Sequence, residues 1–204
     1  MDNPFIGKQE FELLQNSEIF LTRKRLQEQL NTLLAGCIPH IRSAMEVHRP
    51  QFAEEIIAST PKISRGENYL SYPWTILDYP RCFSGKDVFA MRTMCWWGHY
   101  FSITFQVGGR FAELFEGRIS VNLPRLDTRG LYLSIGSDPW KHHLEDTCMK
   151  PLDAVPTVSV EVSEQIKQNG FFKIMKKIEL YEWELLPVEC GRTAAMLFDL
   201  VGGD

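Results

Sequence analysis

The run Asp138-Pro-Trp-Lys-His142-His143-Leu-Glu145-Asp146-Thr-Cys148 holds the densest set of side chains in this chain that could ligate a metal or move a proton. It follows Ser137, and Ser137-Asp138-Pro139 has the form of a helix start, a capping side chain and then proline at the first helical position. In a helix begun there, His142 and Asp146 stand four residues apart on one face and His143 and Asp146 three apart on a neighbouring one. Either pair converges on a metal ion. Imidazole and carboxylate also suit general acid–base catalysis. The stretch therefore points to a metal-dependent hydrolase using His142 or His143 with Glu145 or Asp146. A transition-metal site needs a third or fourth ligand from elsewhere in the fold, and His99 and Cys148 are the candidates. The competing reading is a short exposed helix whose imidazoles and acids pair locally or meet water.

A second constellation comprises Tyr79, Arg81, Arg92, Trp96, His99 and Tyr100, with Ser102 and Thr104 extending its polar face. Arginine among aromatic rings on a sheet can hold a carboxylate or phosphate with two parallel hydrogen bonds while the rings cover an apolar ligand body. Such a face fits a small organic anion. The structural alternative has Arg92 stacked on Trp96 and paired with Asp78 or Asp87, serving the sheet alone. Cys95 beside His99 has the composition of an activated nucleophile, but a thiol among tryptophans on a strand is more simply a buried structural group. There is no GxGxxG, GxxxxGK[ST], HExxH, GxSxG or EF-hand pattern, so no cofactor is indicated and the usual motif-based activities lose their support.

These residues must be positioned by a few elements. Asp87 to Gly109 reads as two β-strands joined by a turn at Trp97-Gly98. In the second strand Phe101, Ile103, Phe105 and Val107 alternate with Tyr100, Ser102, Thr104 and Gln106, the period of two expected of a strand with one buried face. In the first strand Phe89, Met91 and Cys95 share a face, and Val88, Ala90, Arg92, Met94 and Trp96 share the other. Upstream, Leu26, Leu30, Leu33, Leu34, Cys37, Ile41 and Met45 mark an amphipathic helix between Asn16 and His48, with Ser17 expected as its N-cap. Pro39 leaves open whether this is one kinked helix or two in succession. A further helical piece spans Arg49 to Ser59, and Thr60 to Tyr72 reads as a loop.

Strands are expected at Trp74–Tyr79, where Pro80 marks an end or a bulge, and at 130–136. Helices are expected at 110–119, over 160–170 and over Ala194 to Val201, the last stopped by Gly202-Gly203. Residues 171–180 fit a strand or a helix. Hairpin-joined strands with segregated helices indicate an α+β fold: a mainly antiparallel sheet built on the central hairpin and packed by a long N-terminal and a C-terminal helix, forming one domain over residues 1–204.

Composition narrows the partners. With 44% hydrophobic and 24% charged residues the 204-residue chain can bury a core, and a net charge of −4 lacks the basic footprint of a nucleic-acid or anionic-membrane binder. The five cysteines are odd in number and form no CxxC, so reduced thiols are expected and not a disulfide framework. The first fourteen residues have no basic-then-apolar segment and no apolar run approaches membrane length, which makes a cytoplasmic location the expectation. Besides the anion-binding and hydrolase readings there is a third, a homodimer closed by apolar residues of the N-terminal helix or by an unpaired strand edge.

Overall fold

The computed structural model describes residues 5–154 and 158–202. The first four residues of the N-terminal segment, Val155, and Gly203 of the C-terminal stop lie outside them. In chain order the elements are α1 (Lys8–Gln15), α2 (Ser17–Val47), α3 (Glu54–Ile57), β1 (Lys62–Tyr69), β2 (Tyr72–Ser84), β3 (Asp87–Trp96), β4 (Tyr100–Gly108), α4 (Arg110–Asn122), β5 (Leu131–Ser134), β6 (Met149–Pro151), α5 (Val158–Asn169), β7 (Phe171–Glu179) and α6 (Leu186–Phe198). The seven strands form one sheet in the order β1-β2-β3-β4-β7-β5-β6, antiparallel at every pairing. The chain has an α+β fold.

The β3–β4 hairpin sits at the centre, in the register Phe89↔Val107, Met91↔Phe105 and Cys95↔Phe101. All of these side chains face the helical layer, where they join Leu30, Leu34, Ile41, Leu197 and Phe198 in one core. Phe105 meets Phe89 at 5.3 Å and Phe198 at 5.9 Å between ring centroids, both edge-on, the favoured aromatic geometry. The buried stripe of α2 runs from Leu30 to Met45, while Leu26 stays exposed. Pro39 does not divide α2, which continues from Ser17 to Val47. The α2 cap is Asn16, whose side chain accepts from the Glu18 amide at 3.2 Å; Ser17 is already helical. Where α6 crosses α2, a Cβ on Gly191 would stand 2.8 Å from the Cβ of His40, so glycine permits the approach.

Three expectations change and one left open is resolved. Residues 62–69 are a strand and not a loop: β1 is a polar edge strand, and the Trp74 indole lies across Gly66, supplying the packing the glycine lacks. The helical piece at 49–59 is reduced to a 3-10 turn over Arg49–Gln51 and the single turn of α3. Residues 171–179 are a strand, with Lys176 on the helical side paired to Glu189 at 2.8 Å. The helix expected after Pro139 does not form, for reasons that belong to the site below. No helix among the described residues is long and apolar enough to cross a membrane.

Candidate functional site

The outer face of the sheet, away from the helical layer, carries the even members of the hairpin and their neighbours. Asp78 on β2 stands opposite Arg92 on β3, which stands opposite Thr104 on β4; Gln106 stands opposite Lys173 on β7. The segment from Ile135 to Cys148 folds back over this face. Its backbone is held by side chains of the sheet. Lys173 Nζ donates to the carbonyl of Pro139 at 2.9 Å and to that of Lys141. The His142 amide donates to Tyr69 Oη at 2.6 Å, Tyr100 Oη donates to the His142 carbonyl at 3.3 Å, and the Leu144 amide donates to Tyr100 Oη at 3.0 Å. Backbone groups that a helix would pair with one another are satisfied from outside, and so Asp138 only caps a tight turn through the Trp140 amide at 2.9 Å.

This placement separates the two histidines. His142 Nε2 lies 3.0 Å from Arg92 Nη1, and its Nδ1 is buried without a hydrogen-bond partner among the described residues. Burial first, then the charges of Lys173 and Arg92, hold its pKa well below the usual histidine range, so it is neutral and accepts from the guanidinium. Arg92 also makes a two-pronged pair with Asp78, at 2.7 and 3.0 Å, and lies 5.6 Å from the centre of the Trp140 ring. Its side chain is 17% exposed, with its guanidinium committed to groups of the chain itself.

His143 turns the other way. Its Nδ1 is 2.8 Å from Tyr69 Oη, and its Nε2 faces both a Glu145 carboxylate oxygen at 3.3 Å and Cys148 Sγ at 3.6 Å. One ligand atom from each of His143, Glu145 and Cys148 lies within 4.8 Å of the others. His143 and Cys148 are buried and Glu145 is exposed, which leaves the group one side open to solvent. The Cys148 and Met149 amides both donate to the Glu145 carbonyl, at 2.8 and 2.9 Å, and this turn sets the acid and the thiol side by side. Bonds of about 2.0–2.3 Å to a tetrahedral zinc ion place nitrogen and oxygen ligands about 3.3 Å apart and nitrogen and sulfur about 3.5 Å apart. The observed separations match both edges.

The trio is not arranged as a nucleophilic triad. There the carboxylate orients the imidazole through the nitrogen remote from the nucleophile. Here acid and thiol face the same nitrogen, as ligands around a common point would, and the remote nitrogen is held by Tyr69.

The other sequence candidates are dispersed. Trp96 and Tyr100 flank the hairpin turn on the outer face, and His99 stacks on Trp96 at 3.6 Å and 14°. Tyr79 points into the helical side, where Arg42 Nε donates to its hydroxyl at 3.3 Å, and Arg81 Nε donates to the Thr60 carbonyl at 2.9 Å. Neither joins Arg92. Asp146 is exposed and outside the ligand trio. Cys95 lies in the helical core, where burial pushes its thiol up to about 12, a setting for an inert group. No disulfide links the five cysteines.

Two residues central to this face drew no attention in the sequence, Tyr69 and Lys173. Tyr69 ends a strand too polar to be recognised, and nothing in the KIMKK pattern says which lysine turns inward. No family model, curated protein or solved structure matches the chain.

Proposed function

We propose that the protein binds a divalent transition-metal ion, zinc in the first instance, through His143 Nε2, Glu145 and Cys148, and uses it for hydrolysis. The observation that carries this reading is the convergence of three chemically suited ligand atoms at separations of 3.3 and 3.6 Å about a shared nitrogen. Three protein ligands with a solvent-facing side are the pattern of a catalytic zinc site, where water takes the remaining position and is acidified by the metal. Tyr69 supports the assignment because its hydroxyl shares a hydrogen bond with His143 Nδ1, and with the imidazole donating there Nε2 is the nitrogen presented to a metal. Of the sequence candidates, His143, Glu145 and Cys148 stay in the proposed donor set, and His142, Asp146 and His99 leave it.

Metal analysis of the purified chain and hydrolysis of p-nitrophenyl carboxylate and phosphate esters test the proposal together. The expected result is about one equivalent of zinc, with ester hydrolysis abolished by a chelator and restored by added zinc. Metal uptake without any hydrolysis would keep the metal centre and overturn the hydrolase.

The anion-binding reading rests on Arg92 lying beside the Trp140 ring, and is weakened by the two-pronged pairing with Asp78. A homodimer has support from the exposed side chains of Phe11, Leu14 and Phe20 near the start of α2, and light scattering over a concentration series distinguishes it.

A further inference from the structure

Toward the Gly108 end of the same sheet face lies a cavity of about 530 Å³, within the range of small-molecule sites. It is lined from separate parts of the chain by Gln106, Trp140, Phe171 and the glycines at 108–109 and 170. Gln106 is only 5% exposed as a residue, and it lines the cavity without being among the side chains whose polar atoms are fully buried and unpaired. Its carboxamide is thus available to a group seated in the cavity, where a donor and an acceptor held by a buried side chain are already oriented.

The neighbouring positions keep that space open. Ala90 stands opposite Gln106 on β3, and Gly108, two residues on, contributes no side chain. On the other flank Lys173 donates through Nζ to the carbonyls of Pro139 and Lys141. That anchors the turn carrying Trp140, whose ring is steadied by Arg92 and by Phe83 at 6.1 Å between centroids. The result is a flat aromatic wall beside a donor–acceptor pair.

We infer that this cavity binds a planar nitrogen heterocycle of the nucleobase type, with Gln106 pairing to an adjacent donor and acceptor on its edge and Trp140 covering its face. A carboxamide matches such an edge with two hydrogen bonds, as in glutamine recognition of adenine. At the start of α4 Asp87 Oδ1 already accepts from the Arg110 amide, at 3.0 Å, while Lys86, Glu113 and Lys167 also line the cavity. The part that Gln106 and Trp140 would meet is the base, and the titration with unphosphorylated nucleosides isolates it. The inference does not depend on the metal centre.

Isothermal titration of the full chain with adenosine, guanosine, cytidine and uridine tests it. At least one should bind with a dissociation constant below about 1 mM. Gln106→Leu should weaken that nucleoside about tenfold or more, and Trp140→Ala should weaken it as well. Binding of none of the four at millimolar concentration overturns the inference, and so does equal binding by Gln106→Leu. If Gln106→Leu fails to fold, Trp140→Ala, at a half-exposed position, decides alone: unchanged affinity overturns the site and weakened affinity supports it.

Discussion

The Nδ1 atom of His143 lies 2.8 Å from the hydroxyl oxygen of Tyr69, a residue 74 positions earlier, at the end of the edge strand. Burial raises the Tyr69 pKa, against the pull of the His142 and His143 amides, so the phenol stays neutral; its oxygen accepts from the His142 amide and its hydroxyl shares a hydrogen bond with His143 Nδ1. The edge strand thereby reaches over to orient a group on the covering loop.

Tyr69→Phe removes that hydroxyl and leaves all three metal ligands in place. Zinc affinity should fall about tenfold or more, the usual cost of losing an outer partner of a ligating histidine, with thermal unfolding still cooperative. Competition with a chromophoric chelator measures it, and an affinity equal to wild type would mean that Tyr69 does not position His143.

Packing on the two faces of β4 differs in kind. Phe105 is fully buried among aromatic rings, and truncation to alanine should cost about 3–5 kcal/mol in urea unfolding. Thr104, one residue earlier, is also buried but its hydroxyl has no partner among the described residues. Thr104→Val keeps the shape and removes the unsatisfied group, so stability should stay within about 1 kcal/mol or rise. A large loss at Thr104→Val would show that the hydroxyl has a partner the geometry does not reveal.

The hairpin was legible in the sequence because a period of two assigns every side chain to a face once one face is seen to be apolar. Phe101, Ile103, Phe105 and Val107 follow that rule, and Arg92 and Thr104 fall on the outer face as it requires. The covering loop was not legible. Pro139 with two preceding capping side chains resembles a helix start, and only the distant Tyr69, Tyr100 and Lys173 side chains divert its backbone from helical pairing. Assuming helical spacing led to Asp146 as a ligand, whereas the actual turn between Glu145 and Met149 presents Glu145 with Cys148. Local pattern cannot report a hydrogen bond made across dozens of residues.

Lys173 links stability to pH. Burial, reinforced by the charge of Arg92, lowers its pKa from 10.5 to about 7. Between these values the unfolded chain holds a proton that the folded chain has released, so the lysine's contribution to stability rises with pH across that window and is lost as pH falls toward 7. Lys173→Met lacks this dependence. The stability of wild type relative to Lys173→Met should increase between about pH 7 and 9 in urea titrations. A difference that stays constant with pH would show that Lys173 keeps its proton when folded, held by the Pro139 and Lys141 carbonyls.

The convergence of His143, Glu145 and Cys148 on a single ion is tested most directly by cobalt(II) substitution followed by absorption spectroscopy. One equivalent of cobalt should produce the intense visible bands of a four-coordinate ion together with a thiolate-to-cobalt charge-transfer band. Cys148→Ser should lose the charge-transfer band, His143→Ala should bind far more weakly, and Asp146→Asn should match wild type. Cobalt spectra indistinguishable from the ion in buffer, or a charge-transfer band that survives Cys148→Ser, would contradict the site.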